Sequence, residues 1–453
     1  PRPPRVARAI WRRCSAVWPD RLRPQRMRRV VVVAPEPALA EALLRVGTAG
    51  VVELDLPSGD QGPAADLESV SAAAVRRDGL AALAGWTPDV ELAGLGARLA
   101  EVGAAAVPVR APSGIQPPTR LPGRAAGRTF DLLVETYTTV PYRDVDPTLA
   151  AGLAYVAMFG MMFGDLGHGA VLLLGALLLR SGRLPGRLGR SPGLRRSWPF
   201  LAGGGLASMV FGALYGEFFG PTGIVPVLWL EPLADPVPML LTAVGVGAVL
   251  IAGAYALGTV NRVREGGWGY ALYARTGVAG SMLFLALGLT VAGVALDVRW
   301  LVAASVVVAA AGLALAFVGL LVESGGGAAG VIQSVVELVD LVIRLGSNIV
   351  SFARLAAFGL THAALGAVVW QGTTALWGPG MGAVAGAVVF VVGNTVTFAL
   401  EALVAGIQAL RLEYYELFSR VFAEEGRPFR PWRLPDPMGP ADRERPTTSE
   451  VIP

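Results

Sequence analysis

Long apolar runs fill the chain from about Leu149 to Phe422, whereas the first third mixes polar and apolar residues in ordinary proportions. An apolar run of roughly 18 residues or more is long enough to cross a bilayer as a helix. Such runs predict membrane spans near 198–220, 237–260, 276–296, 300–322, 331–370 and 382–422. The pattern therefore predicts a polytopic α-helical membrane protein with a smaller polar region at its N-terminal end.

The first apolar segment, residues 148–180, does not fit a single crossing. As one helix it would reach about 50 Å, which exceeds a bilayer core of roughly 30 Å. "GDLGHG" (164–169) supplies three glycines and two polar residues at which the chain can bend. We therefore predict two short limbs here and about eight crossings in all. The last two spans are roughly 40 residues each and must tilt strongly or protrude.

The polar first third predicts a small α/β domain. Residues 27–54 predict a strand, an amphipathic helix that opens with Pro, and a second strand. Helical patterns at 67–84 and 89–103 follow, with one more strand within 104–123. We therefore predict a basic tail, a reduced α/β cytoplasmic domain, a connector, a transmembrane ion-translocating domain and a cytoplasmic tail, bounded as 1–26, 27–127, 128–147, 148–422 and 423–453.

Composition agrees with a membrane protein. Of the 453 residues 53% are hydrophobic and 16% charged, and the mean hydropathy is +0.55. Every basic residue is Arg, so the Lys of a P-loop is absent and ATP hydrolysis by that route is not expected. Cys14 is alone, and His168 and His362 cannot by themselves build a His-rich metal site, so we expect neither metal nor cofactor.

Arginine placement predicts the topology, because cytoplasmic loops carry the excess of positive charge. The 180–197 loop has six Arg, and 261–275 and the tail after Val421 also carry them, whereas 221–236 and 371–381 have none. We therefore expect an integral, multi-pass protein with both termini in the cytoplasm. In a prokaryote the bilayer would be the cytoplasmic membrane.

Residues 1–29 hold ten Arg against a single acid, Asp20. Two interpretations remain open for this stretch. It is either a basic arm that binds anionic lipid headgroups or an upstream extension of a gene whose natural start is Met27. It lacks the apolar core of a signal peptide.

Two predicted helices carry polar stripes through otherwise apolar sequence. On the 331–370 helix, polar residues recur every three or four positions and share one face with His362 two turns later: Glu337, Asp340, Arg344, Ser347, Ser351 and Arg354. The final helix repeats the pattern with Asn394, Thr397, Glu401, Gln408, Arg411 and Tyr415. A charge at the bilayer centre costs about 2.5–3.5 kcal/mol on insertion scales. Such residues face a cavity or a partner, and commonly mark an ion pathway.

Structural explanations compete with an ion pathway. A buried salt bridge between Arg354 and Glu401 would fix helix packing without moving ions. Arg344 and Glu337, nearer the membrane surface, can snorkel to water. For Asn394 and Thr397 the alternative is a hydrogen bond that packs one helix against another. For Glu217 the alternative is a place at the membrane interface.

Several motifs carry a resemblance to a known family. In the apolar region they are "FGMMFGDLGHG" (159–169), "SFARLAAFGLTHAAL" (351–365) and "LEALVAGIQALRLEYYELFSRVFAEEGRPFRPW" (400–432). In the polar region they are "AGWTPDVELAGLGARLAE" (84–101), "QPPTR" (116–120) and "DPT" (146–148). In this order they resemble the membrane subunit a/I of V-type and A-type rotary ATPases, the 116 kDa subunit family. The resemblance covers nearly the whole chain from Met27.

The resemblance implies a non-catalytic subunit that faces a rotating proteolipid (c/K) ring whose subunits each carry one ionisable carboxylate. Arg354 takes the position of the family's essential arginine, which attracts the ring carboxylate into its ionised form and blocks leakage between two offset half-channels. An opposite charge lowers a carboxylate pKa that lipid has raised, and Arg stays protonated when buried. ATP chemistry would lie on other subunits, and peripheral stalks would be further partners.

Further positions are carried over from the family. Glu401 and His362 would line one half-channel, and Asp340 with Glu337 the other. Gln408 and Arg411 match polar positions of the family's last helix. The Gly-rich motif, which contains Asp165 and His168, has either a supporting role in transport or a purely structural one. Glu217 is assigned to the same supporting group.

One region departs from the family. Between Leu56 and Leu83 the chain has only a short linker and about one helix, where the family normally has a long helical hairpin and a distal lobe that dock to peripheral stalks. The resemblance therefore implies a reduced or divergent assembly. Whether H⁺ or Na⁺ moves stays open, since the ion-binding carboxylate belongs to the ring, and so does the choice between pumping and ATP synthesis.

Two other functions remain open from sequence. A stand-alone ion-coupled secondary transporter would also have midplane charges, although no internal repeat of the stripe helices is visible. A stator that no longer conducts would have lost its central charges, yet Arg354 and Glu401 are present. The lipid bilayer is an expected partner in every case, and nucleic acid is not.

Overall fold

The computed structural model describes residues 24–56, 66–112, 115–121, 134, 139–182, 195, 197–422 and 426–434. The chain divides into an N-terminal unit (1–122, 139–142 and 425–453) and a helical unit (123–138 and 143–424). Three predictions fall wholly or mostly outside the described residues: the basic tail, the six-Arg loop and the end of the C-terminal tail.

The N-terminal unit is built on a five-stranded antiparallel sheet. Its strands are β1 (Met27–Pro35), β2 (Glu53–Leu54), β3 (Val75–Arg77), β4 (Leu80–Pro88) and β5 (Ala105–Val109). The order is β2-β4-β1-β5, and β3 also pairs with β4. A 3-10 turn (Glu36–Ala38) and three helices accompany the sheet: α1 (Leu39–Ala49), α2 (Leu67–Ala72) and α3 (Leu92–Ala100).

Alternation along β1 places Val30 and Val32 in the core, where they pack with Leu43 and Val46 of α1. Full burial of an aliphatic side chain of this size stabilises by about 1.5–3 kcal/mol. The structure confirms the strand, helix and strand predicted for 27–54. It also confirms the helix within 89–103 and the strand that begins the 104–123 segment.

The helix predicted over 67–84 is wrong beyond Ala72. The chain instead turns at Asp78 and Gly79, both with positive φ, and β3 and β4 form a hairpin around them. Asp-Gly is a favoured two-residue hairpin turn because both positions need φ above zero. The alternation of β4 then buries Ala81 and Leu83.

Residues from the C-terminal segment complete the N-terminal unit. Trp432 is only 2% exposed within that core, and its N–H donates to Val52 O at 2.8 Å. Arg427 Nη2 meets Glu53 Oε1 at 2.5 Å, and Arg430 N donates to Glu53 Oε2 at 2.7 Å. The segment after the last helix is therefore part of a folded unit.

The helical unit contains α4 (Thr148–Met162), α5 (Leu166–Ser181), α6 (Trp198–Tyr215), α7 (Pro236–Gly266), α8 (Trp268–Tyr273), α9 (Val278–Ala295), α10 (Arg299–Glu323), α11 (Gly327–Ser351), α12 (Ala353–Leu376), α13 (Met381–Leu412) and α14 (Ser419–Val421). A π-helical turn, Glu413–Phe418, joins the last two. The outward faces of the long helices carry many exposed aliphatic side chains, as expected where lipid is the solvent.

Five described helices are long and apolar enough to cross a membrane: Trp198–Tyr215, Pro236–Gly266, Val278–Ala295, Arg299–Glu323 and Met381–Val421. Two shorter apolar helices, α4 and α5, form the pair of short limbs predicted for 148–180, and the chain bends between them at 163–165. The total of about eight crossings stays a prediction.

The single helix expected over 331–370 is wrong. The chain breaks at Phe352, which separates α11 from α12. Phe352 is fully buried, and its ring lies in a notch where a Cβ on Gly247 of α7 would clash with it at 2.2 Å. Tertiary packing, which the periodicity of one segment does not reveal, therefore divides the first polar stripe between two helices.

Close glycine contacts bring α5 against α6. A Cβ on Gly169 would lie 2.7 Å from Met209 N, and one on Gly205 would lie 2.8 Å from Leu173 N. A Cβ on Gly212 would lie 2.2 Å from Leu166 N. Small residues let membrane helices approach backbone to backbone. This approach holds the start of α5 rigidly beside the end of α6.

Candidate functional site

Asp165 is the N-cap of α5 and is fully buried. Its Oδ1 accepts hydrogen bonds from His168 N at 2.8 Å and Phe219 N at 3.1 Å, and its Oδ2 accepts one from Gly220 N at 2.8 Å. A capping carboxylate satisfies helix N–H groups and complements the helix dipole. Asp165 therefore fixes the loop after α6 to the start of α5.

His168 lies one turn into α5, with Nδ1 3.8 Å from Asp165 Oδ1. It is 1% exposed, and neither ring nitrogen makes a well-formed hydrogen bond to a described residue, although the Asn394 side chain lies beside the ring. The ring is enclosed by Phe163, Phe219 and Phe398, whose centroids lie 5.2–5.7 Å away. Two strong polar atoms are thus held in an aromatic cage with Asn394 as their polar neighbour on α13.

His362 of α12 and Glu401 of α13 form a buried pair, through His362 Nδ1 and Glu401 Oε2. Their exposed fractions are 2% and 8%. Arg354 has no ion pair among the described residues. The proposed Arg354–Glu401 salt bridge is therefore wrong, because His362 takes the place of the arginine.

The structure brings His168 and His362 together although they are far apart in sequence. Their ring centroids are 5.5 Å apart, and the planes are nearly perpendicular. Glu217, 3% exposed, interacts electrostatically with His362, Asp165 and Glu401, and its Oε2 has no partner in the described chain. We call these five residues the polar cluster: Asp165, His168, Glu217, His362 and Glu401.

A cavity of about 100 Å³ adjoins Glu401. Its lining comes from α4, α12 and α13 and is apolar except for two side chains: Met162, Phe358, Thr361, Leu400, Glu401, Val404 and Ala405. Glu401 Oε1 has no hydrogen-bond partner in the described chain. The cavity therefore lies against the Glu401 side of the polar cluster.

Each polar stripe contributes one arginine to the predicted ion pathway, Arg354 from the first and Arg411 from the second. The structure leaves both outside the polar cluster. Arg354 precedes His362 by about 12 Å along α12. It is half-buried and interacts electrostatically with Arg411 and with Glu416 of the π-helical turn. Arg411 is exposed, and Gln408 is half-buried with an unpaired Oε1.

Glu337 and Asp340 lie on α11 and have ion-pair partners of their own. Glu337 Oε2 is 2.9 Å from Arg275 Nη2, which also reaches Glu323 Oε2 at 3.2 Å. Asp340 pairs with Arg344 one turn later at 2.6 Å. Exposed i, i+4 pairs contribute only about 0.3–0.5 kcal/mol, so this pair is easily opened.

Several cluster neighbours escaped sequence reasoning. Phe163, Phe219 and Phe398 look like ordinary apolar residues, although the first lies inside the Gly-rich motif. Ser208 Oγ donates to Phe163 O and, at 3.1 Å, to Asp165 O, and so ties α6 to the bend. A buried hydroxyl in the apolar run of α6 was the available signal.

Known proteins with related sequences support the resemblance carried by the motifs. The V-type ATPase 116kDa subunit family matches residues 72–185 and 328–434. A-type ATP synthase subunit I of Thermococcus kodakarensis is 29% identical over 78% of this chain and 54% of its own length. Its counterparts in Aeropyrum pernix and Halobacterium salinarum are 29% and 30% identical over 68% and 67% of this chain.

The chain spans about half the length of these curated relatives. The two family matches include the bend with Asp165 and His168 and the helices with His362 and Glu401. Five of the described helices are long and apolar enough for a membrane protein. The chain therefore belongs to the V-type ATPase 116 kDa subunit family, which includes subunit I of A-type ATP synthases.

Proposed function

We propose that this chain is the non-catalytic, ion-translocating membrane subunit of a rotary V/A-type ATPase and works against a proteolipid ring. The observation that carries the proposal is the separation of two charges. Glu401 is paired with His362, whereas Arg354 is left without an ion pair in the described chain. A buried or half-buried cation without a partner is costly, so a carboxylate on another chain is the fitting counter-charge.

The carboxylate of a ring subunit would form a transient ion pair with Arg354. In lipid that carboxylate is neutral, because desolvation disfavours its charged form, and beside Arg354 it loses its proton or ion. The α13 face has four exposed aliphatic side chains at helical spacing: Val396, Leu400, Leu403 and Ile407. An apolar surface next to a fixed charge suits a partner that slides past in the bilayer.

Two half-channels would supply and remove the ion. Glu401 and His362 would line one, with Gln408 and Arg411 along the same helix. Asp340 and Glu337 would line the other, opening their present ion pairs as the ion passes. Support for the first comes from the cavity beside Glu401 and from the buried carboxylate and imidazole groups behind it.

The remaining features of the machine follow from the family. The chain would cross the membrane about eight times with both termini in the cytoplasm, and peripheral stalks and the ATP-hydrolysing subunits would be separate chains. The packing of Trp432 in the N-terminal core supports one side of the membrane for that core and for the segment that follows α14. ATP chemistry would occur on those other subunits.

The test is ATP-driven ion uptake into vesicles carrying the whole complex, comparing wild type with Arg354→Gln. We expect transport to be lost while the proteolipid ring still co-purifies. Arg299→Gln is the matched control, because Arg299 is exposed at the start of α10 and belongs to neither polar stripe. Its transport should stay near the wild-type rate. Transport that survives Arg354→Gln would contradict the gating role, and a ring that never co-purifies would favour a stand-alone transporter.

A further inference from the structure

We propose that Asp165, His168 and His362 form a binding site for a divalent transition-metal ion of the Zn²⁺ class inside the helical unit. One ligand atom from each of the three residues lies within 4.8 Å of the others. All three side chains are buried, with exposed fractions of 0%, 1% and 2%. The carboxylate and the two imidazoles converge from the α5 N-terminus and from α12.

His168 supplies the observation that points to a ligand. Both of its ring nitrogens are buried without a well-formed hydrogen bond in the described chain, and Asn394 is the neutral side chain beside them. An imidazole has at least one nitrogen lone pair when neutral, and leaving such a group unpaired costs about 1–3 kcal/mol. The aromatic cage positions this ring against Asp165 and His362. Asn394 can serve one ring nitrogen at most, and a metal bond would satisfy the other.

Asp165 has capacity for one more ligand bond. An ionised carboxylate offers about four lone-pair positions. Three are used by the N–H groups of His168, Phe219 and Gly220. Because backbone N–H groups already fix this carboxylate, the Asp165 side chain would lose little further conformational entropy when an ion binds.

His362 is oriented for a metal by Glu401. An ionised carboxylate only accepts, so the metal-binding form has Glu401 ionised and His362 neutral with its proton on Nδ1, which leaves the Nε2 lone pair for the ion. Metal-binding histidines usually donate their other ring N–H to a carboxylate or carbonyl, which fixes the ring and strengthens the ligand. Glu401 therefore stands where such a supporting carboxylate would be.

The donor set selects the metal. Two imidazoles and one carboxylate suit Zn²⁺ or Co²⁺, whereas Ca²⁺ and Mg²⁺ prefer six or more oxygens. Glu217 adds another buried carboxyl group to the cluster. The fourth position of a tetrahedral site is left for water or for Glu217. If the proposed function holds, an ion at His362 would compete with the half-channel, so zinc would inhibit transport.

The first test is metal binding to the purified full-length chain without a polyhistidine tag, after chelator treatment. Co²⁺ titration should give the visible absorption bands of a four-coordinate site, with one ion per chain, and Zn²⁺ should displace it. The chain has only two histidines, so a histidine ligand can be identified from a single variant. His168→Gln should weaken Co²⁺ binding at least tenfold. Unchanged affinity in His168→Gln, or no binding by wild type, would overturn the proposal.

Two controls separate a lost ligand from a lost fold. Asp297→Asn removes an exposed carboxylate from a loop residue with positive φ, a conformation that Asn also tolerates, and should leave binding unchanged. X-ray absorption of the Zn²⁺-loaded wild type needs no variant and should report two imidazole ligands. One or no imidazole would contradict the site even if His168→Gln fails to fold.

The transport consequence is measured separately on the whole complex. Micromolar Zn²⁺ should slow ATP-driven ion uptake by wild type, and His168→Gln should need at least tenfold more Zn²⁺ for the same fractional loss of its own rate. If the wild-type complex moves no ions, the proposed function fails while the binding result stands. If Zn²⁺ binds and transport is unaffected, the inhibitory consequence is refuted.

Discussion

His362 Nδ1 of α12 is hydrogen-bonded to Glu401 Oε2 of α13, and the two side chains form the buried link between the helices that carry the polar stripes. Phe163 packs against the pair, and its ring centroid lies 5.0 Å from that of His362. Removing one partner of a buried ionic pair leaves an uncompensated polar group, which is costlier than losing the contact itself. The two residues should therefore act as a unit.

A double-mutant cycle of His362→Gln and Glu401→Gln tests this coupling. We expect each single change to lower the free energy of unfolding of the detergent-solubilised chain, and the double change to lower it by less than the sum. The interaction energy should be roughly 1–3 kcal/mol, as for contacting residues in a buried network. ATP-driven transport should be lost in both single variants.

The matched control is the same cycle on Asp340→Asn and Arg344→Gln. These side chains form an exposed pair on α11 at 2.6 Å. Their interaction energy should be only about 0.3–0.5 kcal/mol. Equal coupling energies for the two pairs would show that burial gives the His362–Glu401 pair no special strength.

The sequence predicted the five helices that are long and apolar enough to cross a membrane, because a lipid environment imposes a simple rule on helix composition. The bend at 163–165 was also predictable, since glycines and polar residues interrupt an apolar run. The break at Phe352 was not, because it depends on a notch at Gly247 of another helix. Periodicity within one segment contains no information about such a contact.

The site residues were predicted, but most of their contacts with one another were not. Spacing along a helix placed Arg354 and His362 on one face, and the family resemblance grouped His362 with Glu401, while an Arg354–Glu401 salt bridge was the structural alternative. The structure pairs Glu401 with His362 and adds His168 from α5. Such pairings depend on how three helices pack, which the composition of each helix leaves undetermined.

Gly169 provides a test of the close helix crossing. Gly169→Ala would place a Cβ 2.7 Å from Met209 N and 2.8 Å from Gly205 O, both backbone atoms. Overpacking of this kind costs about 1–3 kcal/mol, so the midpoint of thermal unfolding should fall. On the same helix Gly175 has nothing within 4 Å of the added Cβ. Gly175→Ala should be neutral or stabilise by up to ~1 kcal/mol through helix propensity. Equal destabilisation by both changes would contradict the crossing.

Trp432 tests the association of the C-terminal segment with the N-terminal sheet. Trp432→Ala removes a side chain that is 2% exposed, and Trp-to-Ala changes in cores cost about 3–5 kcal/mol. We expect faster hydrogen–deuterium exchange of the β1 amides in the full-length chain. Arg433→Ala changes the exposed neighbour and should leave that exchange nearly unaltered. Unchanged β1 protection in Trp432→Ala would mean that the segment is not part of this core.

Asp144 lies in the connector before α4 and predicts a pH dependence of stability. The connector is fixed to α7 by Val145 N, which donates to Asn261 Oδ1 at 3.0 Å, and by Arg143 Nη1, which donates to Glu265 O at 2.8 Å. Burial, reinforced by Glu265, raises the pKa of Asp144 to about 8, although Arg262 and Arg264 oppose the shift.

A raised pKa means that the folded chain holds the Asp144 proton more tightly than the unfolded chain. Its contribution is complete below the ordinary aspartate pKa near 4 and is lost as pH rises through about 8, at a slope of about 1.4 kcal/mol per pH unit. Asp144→Asn cannot lose this proton. Its unfolding midpoint should therefore rise relative to wild type as pH increases from 5 to 8, and level off above that. Asp146→Asn, two residues away and half-buried, is the matched control for the loss of one carboxylate from the connector. A pH-independent difference between Asp144→Asn and wild type would mean that Asp144 is already ionised in the folded chain.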